Sequence, residues 1–227
     1  MNLALGIWLF ALFVKLILAF KLNLVPDETY YWFWGQRLQL SYFDHPPFIA
    51  WLMALGHNLF PNFEPTVRVP GIILGHCSVP TLWKMLRPHF SEKKIAMWTA
   101  LVCFSPLTGF SSVLLTPDTP LVFFWCLSLY FFLRATQKDR TRDWLLLGLS
   151  LGLGFDSKYT IVLFVPCCLF YLVRERSIDL LTTRRLLLIA IAGLLASLPV
   201  WIWNYQNDMA SFVFQFNHGL GKTWKPR

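Results

Sequence analysis

The chain has few charged residues for its length. Of its 227 residues, 14% are charged and 56% are hydrophobic, and the mean hydropathy is +0.51, whereas soluble domains carry about 25% charged residues. This shortage excludes an ordinary water-soluble domain. The apolar runs also lack the ~10-residue alternating pattern of an outer-membrane barrel. The composition therefore indicates an integral membrane protein with helix-length apolar spans.

Cysteine spacings typical of a metal site or a disulfide framework are missing as well. All five cysteines lie in apolar stretches, which favours their interpretation as small buried hydrophobes.

The sequence shows no internal repeat, which counts against a transporter built from duplicated halves. The first apolar run lacks a charged leader and a small-residue cleavage site, so we interpret it as a retained anchor.

Acidic residues are the scarcer charges, with 12 acids against 20 lysines and arginines and a net charge of +8. This excess does not indicate a nucleic-acid partner. The basic residues are concentrated in short loops at 87–94, 134–143 and 174–185, where the orientation signals of membrane proteins lie. Placing all three loops on the cytoplasmic side fixes the direction of every span.

Eight apolar runs are candidates for helices: Leu3–Leu24, Pro47–Phe60, Val67–Leu86, Ile95–Leu115, Thr119–Leu133, Trp144–Phe155, Tyr159–Val173 and Leu186–Trp203. With the basic loops inside, Pro47–Phe60 has no crossing left to make, so we expect it to lie along the outer interface. The sequence predicts one all-α membrane domain over 1–227 with about seven transmembrane helices. External juxtamembrane helices would occupy a first loop at 25–66, and a last external loop would occupy 204–227.

Two adjacent acids, Asp27 and Glu28, directly follow the first span and precede an aromatic run that suits a membrane–water boundary. Ionisable groups in such a place are costly unless they serve a function. The chemistry that fits is a general base, which takes the proton of an acceptor hydroxyl or amine. The alternative is helix capping, with Asp27 as the cap and Glu28 at the positive end of the helix dipole.

The same topology places Asp44 and Asp118 on the outer side. Both are candidates for positioning substrate, and two or three converging carboxylates can hold a divalent cation. For Asp118, an N-cap of the following span is an equally good interpretation.

Two basic residues are candidates for binding phosphate. Lys158 is predicted at the N-terminal end of a helix, where free N–H groups and a lysine make an anion site. The alternative is a lysine that reaches the lipid headgroups. His218, in the last loop, is a candidate polar or phosphate contact, although a lone histidine in a loop is more often structural.

Six short motifs in this order resemble the bacterial GT-C membrane glycosyltransferases. They are Asp27–Trp32, Tyr42–Pro47, Val67–Pro70, Leu115–Leu121, Gly154–Thr160 and Trp203–Asn207. The nearest branch is similar to the protein O-mannosyltransferases and the lipid A aminoarabinose transferases of glycosyltransferase families 39 and 83. The chain resembles the N-terminal half of these longer proteins.

This resemblance implies an inverting transfer of a sugar from a polyprenyl-phosphate carrier to an acceptor, at the periplasmic face of the bacterial inner membrane. It implies Asp27 as the base with Glu28 beside it, Asp118 as the later external acid and Lys158 as the phosphate ligand. Some members bind a divalent metal near these acids, for which Glu28 and Asp118 are the candidate ligands.

Two further functions stay open. The absence of the second half favours a catalytically inactive fragment or a subunit that presents lipid to another chain. A transporter is the other alternative, because charges within a membrane also mark substrate paths. The identities of the sugar and of the acceptor do not follow from the sequence.

Overall fold

The computed structural model describes residues 2–59, 64–105, 109 and 111–220. The regular structure of these residues is helical, which confirms the predicted all-α class. The α-helices are α1 Asn2–Lys21, α2 Pro26–Gly35, α3 Phe48–Leu59, α4 Val69–His76, α5 Ser78–Leu86, α6 Glu92–Phe104, α7 Asp118–Lys138, α8 Thr141–Ser157, α9 Phe164–Arg174, α10 Thr183–Ala196, α11 Leu198–Gln206 and α12 Ala210–Leu220. Short 3₁₀ turns lie at Glu64–Arg68, Ser111–Val113, Tyr159–Leu163 and Ile178–Leu180.

The structure supports fewer membrane spans than the predicted seven. Among the described residues, α1 and α7 are long and apolar enough to cross a bilayer. Helices α10 and α11 make a third span if the 59° bend between them belongs to one broken helix. The run at 47–60 forms α3, whose 12 residues are too few for a crossing that takes ~20. Seven crossings are therefore not established.

Prolines divide the predicted spans. Helix α6 ends at Phe104 because Ser105, which precedes a proline in the sequence, is extended (φ −66°, ψ 146°), and helical backbone is disfavoured before proline. Pro80 has no N–H for the carbonyl of His76, four residues earlier, and α4 ends at that histidine. The Nε1–H of Trp8 donates to the freed carbonyl at 3.1 Å.

Helices α7, α8 and α10 pack closely. On α8, Gly148 and Gly152 face α10, where a Cβ at either position would collide with the backbone of Ile189 or Gly193. Small residues spaced four apart let helix backbones approach within a bilayer. The hydroxyl of Ser128 on α7 donates to Ser150 Oγ on α8 at 3.0 Å. These contacts hold α8 against both α7 and α10.

The basic loops meet at one end of the helices. Arg185 pairs with Asp139, which joins the second and third basic loops. Lys84, near the end of α5, lies over the ring of Tyr130 in the second half of α7. Helix α7 begins at Asp118 and has 21 residues, about 30 Å at 1.5 Å per residue. The end that carries Asp118 therefore lies about a bilayer's thickness from the basic loops.

The described residues after α10 are largely helical, and the external position of the segment from residue 204 stays a prediction. Helix α11 continues to Gln206, and α12 contacts the segment between α2 and α3. Phe214 packs on Phe43, with ring centroids 4.8 Å apart. Gln215 Nε2 donates to the carbonyl oxygen of Asp44 at 2.5 Å. The last helix thereby fastens the loop between α2 and α3, while residues 221–227 lie outside the described part.

Candidate active site

Asp27 and Glu28 lie side by side in the first turn of α2 but in opposite environments. Val25 is the N-cap and Pro26 the first helical residue. Asp27 is exposed, whereas Glu28 is fully buried. Asp27 is therefore not the helix cap, although an acid in the first turn still stabilises the positive end of the helix dipole.

Glu28 forms an ion pair with Arg68, and neither side chain has any exposed area. Arg68 Nε donates to Oε1 at 2.7 Å and Nη2 donates to Oε2 at 2.5 Å. The backbone N–H of Leu115 donates to Oε1 at 2.8 Å, and that of Val25 donates to Oε2 at 3.1 Å. Both oxygens of this buried carboxylate are thus engaged twice.

Arg68 also binds the end of α1. Nη1 donates to the carbonyls of Ala19 and Leu22 at 3.0 and 2.6 Å, and Nη2 donates to that of Asn23 at 2.8 Å. The last carbonyls of a helix have no partner within it, and Arg68 supplies one. Sequence reasoning quoted this arginine in a motif but gave it no role. The sequence feature that could have pointed to Arg68 is its charge at the start of an apolar run. We call Glu28 and Arg68 the buried pair.

Asp118 and Lys158 form a second ion pair, which is open to solvent. Lys158 Nζ donates to the two carboxylate oxygens at 2.7 and 2.9 Å, and 29% of the lysine and 59% of the aspartate side chain are exposed. The carboxylate of Asp118 makes no capping hydrogen bond to α7, so the alternative interpretation of Asp118 as the N-cap of that helix is wrong. Asp156, two residues before Lys158 in the chain, is buried with no hydrogen-bond partner among the described residues. We call Asp118 and Lys158 the exposed pair.

Three acids act on the same two side chains, Tyr31 and His45. Burial, together with the charges of Asp27, Asp44 and Asp118, raises the pKa of Tyr31 to about 12. Burial also lowers the pKa of His45, against the opposing effect of the same three carboxylates. The two rings lie 5.9 Å apart. Asp27, Asp44 and Asp118 therefore converge around one place, as the predicted topology requires.

Asp44 contacts α2 within this cluster, whereas His218 contacts a neighbour within α12. Tyr30 Oη donates to Asp44 Oδ1 at 3.2 Å, which holds the carboxylate beside α2. The ring of His218 stacks on Phe214 within α12, at 5.7 Å and 18°. None of the contacts described for residues 111–220 joins His218 to Lys158, so a shared phosphate site of these two residues stays a prediction.

The expected metal ligands do not fit a metal site. In the described ranges, no three side chains of His, Cys, Asp or Glu come together as a metal would require. Both candidate ligands are engaged with basic side chains, Glu28 with Arg68 and Asp118 with Lys158. A divalent cation on Glu28 and Asp118 is therefore not supported by the donors that are present.

A cavity of about 600 Å³ opens beside Asp118. Its walls come from α1, α4, α5, α6, α7 and the segment before α7, and they are largely apolar; among the lining residues are Val79, Leu82, Trp98, Val102, Leu114 and Val122. Ligand sites of proteins commonly have this size and this excess of apolar lining. Asp118, which pairs with Lys158, thus lines a cavity suited to a hydrocarbon chain.

Comparison with known proteins relates most of the chain to one family. Residues 44–203 match the profile of the family described as dolichyl-phosphate-mannose-protein mannosyltransferase. Lipid A galacturonosyltransferase RgtD of Rhizobium johnstonii is 30% identical over 184 residues, which cover 80% of this chain and 38% of the relative. Undecaprenyl phosphate-alpha-4-amino-4-deoxy-L-arabinose arabinosyl transferase 2 of Proteus mirabilis is 26% identical over 182 residues, 71% of this chain and 33% of the relative.

A further relative is the lipopolysaccharide core galacturonosyltransferase RgtA of Rhizobium johnstonii, 27% identical over 220 residues, 87% of this chain and 41% of the relative. The chain thus spans well under half the length of these relatives. No solved structure matches it significantly. Because the family profile extends over most of the sequence, the chain belongs to the dolichyl-phosphate-mannose-protein mannosyltransferase family of GT-C membrane glycosyltransferases.

Proposed function

We propose that the protein transfers a sugar from a polyprenyl-phosphate carrier to a lipid, glycan or protein acceptor, with inversion at the anomeric carbon. The observation that supports this proposal is the convergence of Asp27, Asp44 and Asp118 around Tyr31, with Lys158 paired to Asp118, which also lines the apolar cavity. Relatives named for lipid A and undecaprenyl-phosphate sugars support a lipid-linked donor and favour a lipid acceptor.

Asp27 is the general base in this proposal. Its carboxylate is exposed, whereas the oxygens of Glu28 are all engaged in the buried pair. Asp27 takes the proton of the acceptor hydroxyl as that oxygen attacks the anomeric carbon. The bond from this carbon to the phosphate oxygen breaks, and its electrons leave with polyprenyl phosphate. Glu28 positions the base by fixing the first turn of α2.

Lys158 stabilises the departing phosphate. In the structure its ammonium group is held by Asp118 in the exposed pair. An exposed pair is worth only about 0–1 kcal/mol, so a phosphate can displace the carboxylate at little cost. Hydrogen bonds from an ammonium to a phosphate strengthen as negative charge develops on the leaving oxygen.

The outer face of the bacterial inner membrane is the proposed location of this chemistry. The basic loops lie at the end of the helices opposite Asp118. Since loops rich in lysine and arginine stay in the cytoplasm, the acid cluster would face the periplasm.

The test is sugar transfer by the purified chain in vesicles that contain a lipid A acceptor. Radiolabelled undecaprenyl-phosphate donors of galacturonic acid and of 4-amino-4-deoxy-L-arabinose are supplied separately. We expect Asp27→Asn to lower the transfer rate about 10²- to 10⁴-fold with the fold unchanged, because a general base contributes this much. Asp208→Asn, in an exposed turn with positive φ, is the matched control and should retain activity.

Near-normal turnover by Asp27→Asn would remove Asp27 as the base. If the wild-type chain binds the donor but transfers nothing to any acceptor, a lipid-presenting subunit replaces the enzyme. Movement of the donor across the vesicle membrane without transfer would instead identify a transporter.

A further inference from the structure

Lys15 is a buried lysine in α1 and belongs to neither of the two ion pairs described above. Only 6% of it is exposed, and it lies on the helix face that also buries Ala4, Ala11 and Ala19. It lies six residues before Lys21, about 9 Å along the helix from the outer end of α1. Burying such a group costs several kcal/mol unless polar partners surround it.

The partners of Lys15 are uncharged or weakly basic. Its Nζ donates to Ser112 Oγ at 2.8 Å and lies 3.4 Å from Nδ1 of His76. Ser112 in turn donates to the carbonyl of Gly109 at 2.6 Å, and Nε2 of His76 lies 2.9 Å from the carbonyl oxygen of Trp8. None of the acids in the described ranges pairs with Lys15. The ammonium group has three N–H donors, and these two contacts engage two of them.

The same cavity that opens at Asp118 is lined by Lys15, His76 and Ser112. Asp118 and Thr116 line it at the start of α7, whereas Leu82 on α5 and Trp98 on α6 are lining residues close in the chain to the basic loop at 87–94. The cavity therefore combines polar groups at the start of α7, a hydrogen-bond donor on α1 and apolar walls from α5 and α6.

Polyprenyl phosphate and an acylated lipid differ in the chemical groups that they would place beside Lys15. A polyprenyl chain is pure hydrocarbon below its phosphate, so it would leave the third N–H without an acceptor. An acylated lipid carries ester or amide carbonyls below its headgroup, and these oxygens accept hydrogen bonds. Leaving a buried donor unsatisfied costs about 1–3 kcal/mol, so the cavity should discriminate between the two.

We propose that this cavity binds an acylated lipid, with a carbonyl oxygen accepting a hydrogen bond from Lys15 and the hydrocarbon against Leu82 and Trp98. The identification of this lipid as the sugar acceptor rests on the proposed function. The binding preference itself does not.

The test compares two probes with the same headgroup, a diacyl phosphatidylethanolamine and its diether analogue, which lacks the carbonyls. Each probe displaces a photoactivatable diacyl lipid from the detergent-solubilised chain, and labelled peptides are mapped by mass spectrometry. We expect labelling of the cavity walls in α5 and α6, and displacement by the ester lipid at about tenfold lower concentration than by the ether lipid, the ratio for ~1.4 kcal/mol. Undecaprenyl phosphate should compete no better than the ether.

Lys15→Met should abolish the ester preference, while Lys21→Met, at the exposed end of the same helix, should preserve it. Equal displacement by ester and ether in the wild type, or labelling confined to other helices, overturns the inference even if the Lys15 variant fails to fold. A preference for the ester lipid in a chain that transfers no sugar would contradict only the proposed function. Sugar transfer without a preference for the ester lipid would contradict only this inference.

Discussion

The buried pair and the exposed pair use the same kind of ionic contact for opposite purposes. Glu28 and Arg68 exclude water, and their remaining hydrogen bonds join the end of α1, the start of α2 and the backbone at Leu115. Among the described residues, the side chains of Asp118 and Lys158 form hydrogen bonds with each other alone, and both are open to solvent. An enclosed pair fixes a geometry, whereas an open pair exchanges partners easily. The comparison shows that burial, rather than residue type, separates a structural acid from one available to substrate.

Breaking the buried pair should produce the largest change in stability. Arg68→Met leaves the Glu28 carboxylate buried without its counter-charge and removes the partners of three carbonyls. We expect a loss of about 3–5 kcal/mol in the free energy of unfolding, measured by denaturant titration in micelles. Arg174→Met, at an exposed position at the end of α9, is the control and should change little. A loss below 1 kcal/mol in Arg68→Met would contradict the structural role.

A double-mutant cycle measures the coupling energy between Glu28 and Arg68. Glu28→Gln, Arg68→Met and the combined variant are compared with the wild type by the same titration. Because the two side chains share two hydrogen bonds, we expect their destabilisations to fall short of additivity by about 1–3 kcal/mol. Strict additivity would mean that each residue acts through its backbone contacts alone.

The exposed pair should matter little to stability and more to binding. Lys158→Met and Asp118→Asn should each change the free energy of unfolding by less than about 1 kcal/mol. Lys158→Met should weaken binding of the undecaprenyl-phosphate donor about tenfold, the equivalent of ~1.4 kcal/mol. Asp118→Asn should not weaken it, because the lysine is then released from its acid. Equal donor affinity in Lys158→Met and the wild type would end the role of Lys158 as a phosphate ligand.

The smallest effect should be a pH dependence centred on His45. Its pKa in the folded protein is lowered by burial from an unfolded value of about 6.5. The unfolded chain therefore binds the proton first, so stability is lost as the pH falls below about 6.5 toward the folded pKa. The charges that act on this imidazole are those of Asp44, Lys158, Asp118 and Asp27. His45→Gln should flatten that part of the stability curve, and an unchanged slope would assign it to other groups.

The helical class and the nearness of Asp27, Asp44 and Asp118 to one another could be predicted because both follow from local pattern. Apolar runs set the helices, and the basic loops set their directions. Two helix ends could also have been predicted. Pro80 and Pro106 lie inside apolar runs that were interpreted as continuous helices, and proline interrupts a helix. Helix α12 was missed because its polar and aromatic mixture was interpreted as a loop.

The partners of the charges could not be read from the sequence. Glu28 and Asp27 are adjacent, and only the packing of α1 and of the backbone at Leu115 around Glu28 separates their roles. Asp156 is only two residues from Lys158 in the chain, yet Asp118, 40 residues away, is the partner. Such pairings depend on tertiary approach, about which local pattern carries no information.

The anchoring of Asp44 by α12 has a consequence for the order of assembly during synthesis. Glu28 meets Arg68 after a separation of 40 residues, while Gln215 reaches the carbonyl of Asp44 across 171. Contacts between distant segments form later, because the intervening chain must emerge and pack first. The contact between Glu28 and Arg68, next to Asp27, can thus form while the second half of the protein is still being made. The loop that carries Asp44 has to wait for α12, the last described helix, so it is the later of the two parts to be fastened.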